Sequence, residues 1–274
     1  MARPALVATD LDGTVVRPDG TISERTVAAF ARVEEAGAEF VVATGRPPRL
    51  VDEIAARFGD RGVAICSNGA FLYDMHERKV IEEHGISPED LTEAVRRLRK
   101  EIPGIGIAVE HAVDLVADDL YEPWEWDRGA TVVRADDEVL LSRPAPKLLG
   151  RHPELSADEL LALAAPALAG LVTASHSNGS RLVEAVALGV NKAAALARLA
   201  QRCGIGSDQV IAFGDMPNDL PMLSWSGTAY GVANAHPDVL AMVDHVIGSN
   251  REDGVAAVLE NLYPGANEGA SADE

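Results

Sequence analysis

Leu6-Val7-Ala8-Thr9-Asp10-Leu11-Asp12-Gly13-Thr14 is the stretch whose reading decides this chain. An apolar run with the composition of a buried strand ends in two carboxylates two residues apart. Side chains at i and i+2 of extended backbone share a face, so Asp10 and Asp12 point into one space while Leu11 points away. Two anions held together at low dielectric repel strongly and need a cation or a shared proton. Gly13 frees the backbone for a sharp turn or for close approach of a ligand. The set suits a carboxylate nucleophile, a neighbouring proton carrier and a divalent metal. The simpler alternative for an Asp that closes a strand is a turn former or a helix cap. A calcium loop also begins Asp-x-Asp, but it needs an oxygen ligand at its fifth position and Gly at its sixth. Here those are Thr14 and Val15, and no Glu closes the loop.

Outward from this strand, strand-like and helix-like stretches alternate. That pattern predicts an α/β fold, a doubly wound parallel sheet with helices on both faces. Ser23 and Glu24 start a helix running to about residue 36, ended by Gly37. Residues 39–44 read as a second strand, and Gly45-Arg46-Pro47-Pro48 leads into another helix. Residues 63–66 form a third strand closed by Ser67-Asn68-Gly69, and a hairpin-like stretch follows over 71–83. The character then changes. Ser87-Pro88-Glu89-Asp90 is a strong helix start, short strand candidates fill 105–139, and a second helix begins at Ser156. Residues 171–175 and 182–186 look like strands. The chain is therefore divided into a core of 1–82 and 188–264 with an inserted α+β cap domain at 83–187. Residues 265–274, small and acidic, are expected to be a disordered tail. The core pattern resumes with Asn191-Lys192 opening an Ala-rich helix, then a strand over 210–214.

Composition narrows the function. Forty-three Asp and Glu against 24 Lys and Arg give a formal charge of −19, which repels nucleic acid and anionic membrane surfaces. An anionic substrate would need a local metal or basic groups to overcome that field. The most apolar segment, 160–174, is too short to span a bilayer and is broken by Pro166 and Gly170. Cys66 and Cys203 are too few and too far apart for a disulfide framework. With no secretory leader pattern at the N-terminus, a cytoplasmic location is expected. The sequence sets no oligomeric state.

Four segments lie at core strand ends or a helix start: Asp10/Asp12, Thr44-Gly45-Arg46, Lys192, and Gly214-Asp215-Met216-Pro217-Asn218-Asp219. In a doubly wound sheet the carboxyl ends of the strands form the ligand crevice, where distant segments converge. A hard divalent ion would fit Asp10, the backbone carbonyl of Asp12, and Asp215, with Asn218 and Asp219 orienting the inner ligands. Lys192 directly after the cap residue Asn191 suits a phosphate, because the helix start already favours anions. Thr44 supplies a hydroxyl donor at a strand end.

Together these residues resemble the haloacid-dehalogenase superfamily, in its Cof-type phosphatase branch. Asp10 to Thr14 matches the first motif of that superfamily, Thr44 the second, Lys192 the third, and Gly214-Asp215 through Asn218-Asp219 the fourth. The insert between the Thr44 and Lys192 segments matches the large cap of the branch, as does Ser67-Asn68-Gly69-Ala70. Two departures lie near Lys192: Ala193 stands where members commonly carry Gly, and residues 185–188 lack the usual Pro. The presence of Asp12 separates the chain from hydrolytic dehalogenases, which lack this second acid.

The resemblance implies a Rossmann-like core and a Mg²⁺-dependent phosphatase acting on a small phosphorylated metabolite. It implies that Asp10 forms an aspartyl-phosphate and that Asp12 carries protons to the leaving group and from water. Thr44, Gly45, Lys192 and Asn218 are expected at the phosphate, and Asp10, Asp12 and Asp215 at the metal, with Asp219 behind them. Arg46, Asn68, His176, Asn178, Arg181 and Glu184 are candidates for substrate contacts at the cap–core junction. A phosphotransferase or mutase shares the intermediate but excludes water, and a non-catalytic phosphometabolite sensor is the reading from another class. A dinucleotide-binding oxidoreductase is disfavoured because no Gly-x-Gly-x-x-Gly follows the first strand.

Overall fold

The computed structural model describes residues 3–124, 127, 129–176 and 181–265. The strands form two sheets. In the larger, β1 (Leu6–Thr9) is central, flanked by β2 (Glu39–Ala43) and followed outward by β3 (Val63–Cys66), β4 (Phe71–Asp74) and β5 (Lys79–Glu83). The second sheet takes β6 (Gly106–Glu110), β7 (Asp114–Ala117), β8 (Thr131–Arg134), β9 (Lys147–Arg151), β10 (Val172–Ser175) and β11 (Leu182–Ala187), in the order β10-β11-β9-β6-β7-β8. The chain then returns to the larger sheet with β12 (Val210–Gly214), β13 (Thr228–Val232) and β14 (His245–Ile247) on the other side of β1.

The α/β class holds, with one correction to the parallel sheet. Neighbours from β14 through β3 are parallel, but β4 and β5 pair antiparallel at the edge. The cause is connection length. A parallel return needs a crossover of a dozen or more residues, and only four residues separate β4 from β5.

Helices follow their local signals. Ser23 caps α1 (Glu24–Glu35) by accepting from the backbone of Thr26. Thr26, Ala29, Phe30 and Val33 recur on one face of α1 and are buried. Phe30 meets Phe40 of β2 and Phe58 with ring centroids 5.4 and 5.3 Å apart, which anchors the helix to the sheet. The helix expected after Pro47-Pro48 is a 3₁₀ turn, Pro48–Leu50, followed by the short α2 (Asp52–Arg57).

In the second sheet, α3 (Pro88–Glu101) and α5 (Ala157–Leu168) cover one face, and the short α4 (Asp137–Leu140) lies between them in sequence. Ile107 and Val109 of β6, Leu148 of β9, and Val183 and Ala185 of β11 point into that covered face. Strand alternation sends Glu110, Lys147, Leu149 and Glu184 to the opposite one. β9 runs through the middle of this sheet and escapes sequence reading, because Pro144 and Pro146 stand just ahead of it, Lys147 opens it and Gly150 lies within it. α6 (Lys192–Arg202), α7 (Leu220–Trp225), α8 (Pro237–Met242) and α9 (Gly254–Leu262) complete the larger layer. No helix among the described residues is long and apolar enough to cross a membrane. The expected tail from residue 266 onward lies outside the described residues.

Candidate active site

Because β1 lies between β12 and β2, the residues leaving these three strands share one edge of the sheet. Asp10 leaves β1, Thr44 leaves β2 and Asp215 leaves β12, while Lys192 opens α6. Asp10, Thr44, Lys192, Asp215 and Asp219 are all buried. Lys192 Nζ donates to Asp10 Oδ1 and to Asp219 Oδ1, both at 2.6 Å. Asp219 Oδ2 accepts from the backbone nitrogens of Asp215 and Met216, each at 3.0 Å. Thr14 donates to Asp215 Oδ1 at 3.3 Å.

Three aspartates around one lysine leave an excess of negative charge. Burial, with Asp219 and Asp12 adding repulsion against the pull of Lys192, pushes Asp10 up to about 7. Burial and the charges of Asp10 and Asp219 push Asp215 up to about 9. Lys192 sits above the usual lysine range, since Asp10 and Asp219 outweigh the burial that opposes its charge.

The residues fit a hard cation. Asp10, Asp215 and Asp219 each offer an oxygen within 4.8 Å of the others. Asp10 Oδ2 is buried with no hydrogen-bond partner among the described residues. Both oxygens of Asp219 are taken by Lys192 and backbone amides, so Asp10 and Asp215 are the carboxylates left to bind. An all-oxygen donor set of this kind suits Mg²⁺. Gly13 makes the approach possible: its φ is +86°, and a Cβ there would collide with the Asp215 carboxylate.

Asp12 is engaged differently. Its carboxylate takes a two-pronged salt bridge from Arg46, Nε to Oδ2 at 2.7 Å and Nη2 to Oδ1 at 2.5 Å. The pair is asymmetric, the Arg46 side chain being 7% exposed and that of Asp12 35%. Thr44 Oγ1 accepts from the Arg46 backbone at 3.0 Å, which leaves its hydroxyl proton to donate.

Asp10, Asp12, Gly45, Arg46, Glu184 and Asn218, with Asp215, surround one cavity of about 60 Å³ between the two sheets. Asn68 stands beside it at φ +57°, donating to Glu184 Oε2 at 3.2 Å and accepting from Asn218 Nδ2 at 3.1 Å. Gly69 lets this turn press against the start of α6, where a Cβ would strike the Asn191 carbonyl. The Gly45 carbonyl accepts from Lys147 Nζ at 2.7 Å.

Arg181 and His176 do not line this central cavity. Arg181, at φ +45°, is exposed and donates to the Pro153 carbonyl. His176 is paired with Asp158 at 2.8 Å and lines a second cavity of about 390 Å³, where Asn68, Lys192 and Asn218 face residues of the second sheet. Asn178 lies outside the described residues. Sequence reading missed Glu110 and Lys147, which line the central cavity from the second sheet, and Asp127, which lines it from the segment between β7 and β8. The available signal was a charged residue inside an apolar run, as in Pro146-Lys147-Leu148-Leu149, since buried charges are rare unless paired.

A carboxylate cluster at the carboxyl edge of a parallel sheet, roofed by a second sheet, defines a hydrolase-type α/β enzyme. A family model for haloacid dehalogenase-like hydrolases matches residues 7–259, and the chain belongs to that family. It is 25% identical over 272 residues to a 5-amino-6-(5-phospho-D-ribitylamino)uracil phosphatase of Bacillus subtilis, covering 95% of this chain and 98% of the relative. It is 26% identical over 276 residues to a pyridoxal phosphate phosphatase of Escherichia coli, with 92% and 96% covered. The fold superimposes on a haloacid dehalogenase-like hydrolase from Bacteroides thetaiotaomicron with a TM-score of 0.78 at 24% identity, covering 95% and 100% of the two chains. The enzyme class is phosphoric monoester hydrolase.

Proposed function

We propose that this chain is a Mg²⁺-dependent phosphatase of a small phosphorylated metabolite, working through an aspartyl-phosphate on Asp10. The reading treats 1–82 and 188–264 as the core and 83–187 as the cap. One observation carries it: Asp10 lines the cavity, held at Oδ1 by Lys192 and without a hydrogen-bond partner among the described residues at its buried Oδ2. A carboxylate held by one oxygen and bare at the other is oriented for in-line attack.

The Asp10 carboxylate attacks phosphorus, and the new O–P bond forms as the bond to the leaving oxygen breaks. The leaving alkoxide takes the proton of the Asp12 carboxyl. Water then gives a proton back to Asp12 and its oxygen attacks phosphorus, so that the Asp10 O–P bond breaks and inorganic phosphate departs. Lys192 and the Thr44 hydroxyl hold phosphoryl oxygens as their charge redistributes. Arg46 grips both oxygens of Asp12 and holds its carboxyl in place. Delivery of a proton to the leaving group requires the fork to release one of its two contacts.

Asp10, the Asp12 carbonyl and Asp215 would hold the Mg²⁺, with Asp219 fixing Lys192 and the Asp215 backbone. When bound, the ion supplies positive charge to the phosphoryl oxygens. A reducing, cytoplasmic setting belongs to this reading, supported by two unpaired cysteines.

The test is phosphate release from p-nitrophenyl phosphate with Mg²⁺. Asp10→Asn is expected to abolish release in a protein that still folds, and EDTA to stop the wild type until Mg²⁺ is restored. Near-normal turnover by Asp10→Asn would remove the nucleophile assignment. Scoring free phosphate against transfer to an added sugar separates hydrolysis from phosphotransfer.

A further inference from the structure

Strand register determines what the second sheet shows to the cavity. Glu110 of β6 lies directly opposite Lys147 of β9, and Glu184 of β11 opposite Leu149 of β9. Residues at i and i+2 share a face, so Glu110, Lys147, Leu149, Leu182 and Glu184 form one patch over the cavity. Asp127 joins it, fixed by the Trp124 backbone nitrogen at 2.8 Å and by the Tyr121 hydroxyl at 3.2 Å.

The cations near this patch are already committed. Lys147 Nζ reaches Glu184 Oε1 at 2.9 Å, the Gly45 carbonyl at 2.7 Å and Glu110 Oε2 at 3.7 Å. Arg49 Nη2 reaches Glu110 Oε1 at 2.9 Å. The side chains of Lys147, Arg49, Glu110 and Glu184 are 2%, 6%, 4% and 6% exposed. Three acids and one lysine therefore form the polar part of the roof, and the lysine is neutralised within it.

Carboxylates are acceptors only, and each has about four lone-pair positions. Such a roof favours a ligand bearing O–H or N–H donors. A second anion on the ligand would meet the carboxylates directly, or would have to draw Lys147 away from Glu184. The latter strands a buried charge, a change that costs far more than the pair contributes. Leu149 and Leu182 supply apolar surface for a carbon skeleton.

We propose that this roof selects phosphate monoesters whose leaving group carries hydroxyl or amino donors and no second negative charge. Glu110 and Glu184 are the specificity-determining acceptors, and Lys147 is the positioning residue that holds them over the cavity. The proposal rests on the phosphatase reading above and adds the chemical class of its leaving group.

The experiment compares ligands that differ only by a terminal CH₂OH or carboxylate: glycerol 3-phosphate with 3-phosphoglycerate, and sorbitol 6-phosphate with 6-phosphogluconate. Affinities are measured by calorimetry with Mg²⁺ on the Asp10→Asn protein, which cannot consume the ligand, and as inhibition constants on the wild type. Turnover of p-nitrophenyl phosphate by the wild type is scored separately, so failure of the hydrolase reading is distinguishable from failure of this one. The alcohol of at least one pair is expected to bind more than about tenfold more tightly than its acid. Glu184→Gln is expected to shrink that ratio, chiefly by improving the acid. A ratio of about ten or less in both pairs, or binding of no member of either pair, overturns the proposal.

Discussion

Lys192 Nζ lies 2.6 Å from Asp10 Oδ1, joining the start of α6 to the end of β1 across 182 residues of chain. The same nitrogen is 2.6 Å from Asp219. Removing the ammonium leaves two buried carboxylates without their shared cation. Lys192→Ala is expected to lower the stability of the fold by about 3–5 kcal/mol and to abolish phosphate release. Urea unfolding checks the first outcome and a phosphate assay the second. A variant as stable as the wild type would show that the lysine is not neutralising these acids.

Of the three clustered aspartates, Asp215 has no cation against its carboxylate among the described residues, only a 3.3 Å hydrogen bond from Thr14. Burial and the neighbouring carboxylates raise it to about 9. Asp215→Asn is therefore expected to stabilise the metal-free fold by about 1–3 kcal/mol while removing most activity. Stabilisation by added Mg²⁺, seen as a higher melting temperature in the wild type, should disappear in the variant. Unchanged stabilisation by Mg²⁺ would exclude Asp215 as a ligand.

The raised acids also set a pH dependence. Asp10 and Asp215 move from the ordinary 3.8 to about 7 and about 9 on folding. Across that window the folded chain holds more protons than the unfolded chain, so their contribution to stability falls as pH rises. Melting in EDTA is expected at lower temperature near about pH 8 than near about pH 5, and Mg²⁺ is expected to raise it more at the higher pH. A metal-free melting temperature that climbed over this range would contradict the assigned direction.

Gly13 holds φ at +86° with no room for a side chain against Asp215. Gly13→Ala is expected to displace the Asp215 carboxylate, lowering turnover by about 100-fold and raising the Mg²⁺ needed for half-maximal rate. Kinetics over a Mg²⁺ titration check both. Wild-type rates would show that the turn yields without moving the acid.

How much of this was legible differs from element to element. The strand ahead of Asp10, the capped helix after Ser23 and the helix opening at Lys192 announce themselves through local signals, and all three form. β9 was hidden by the prolines just ahead of it and by Gly150, and with it went Lys147. The 71–83 hairpin reads correctly as a hairpin, but that it extends the larger sheet antiparallel beyond β3 follows only from its pairing. Arg181 illustrates the converse: it is near the expected junction in sequence, yet its guanidinium donates to the Pro153 carbonyl.

The sequence by itself determined the paired acids on one strand face, the alternation that makes an α/β sheet, and the order of the charged segments along it. These are encoded within a few residues, as side-chain periodicity, caps and turns. The tertiary structure alone decided that Arg46 grips Asp12, that Asp219 serves Lys192 and not the open cavity, and that Glu110, Lys147 and Glu184 roof the site. Those relations depend on strand register and on how one sheet faces another. The contacts that settle them join residues dozens to hundreds of positions apart, beyond the reach of any local pattern.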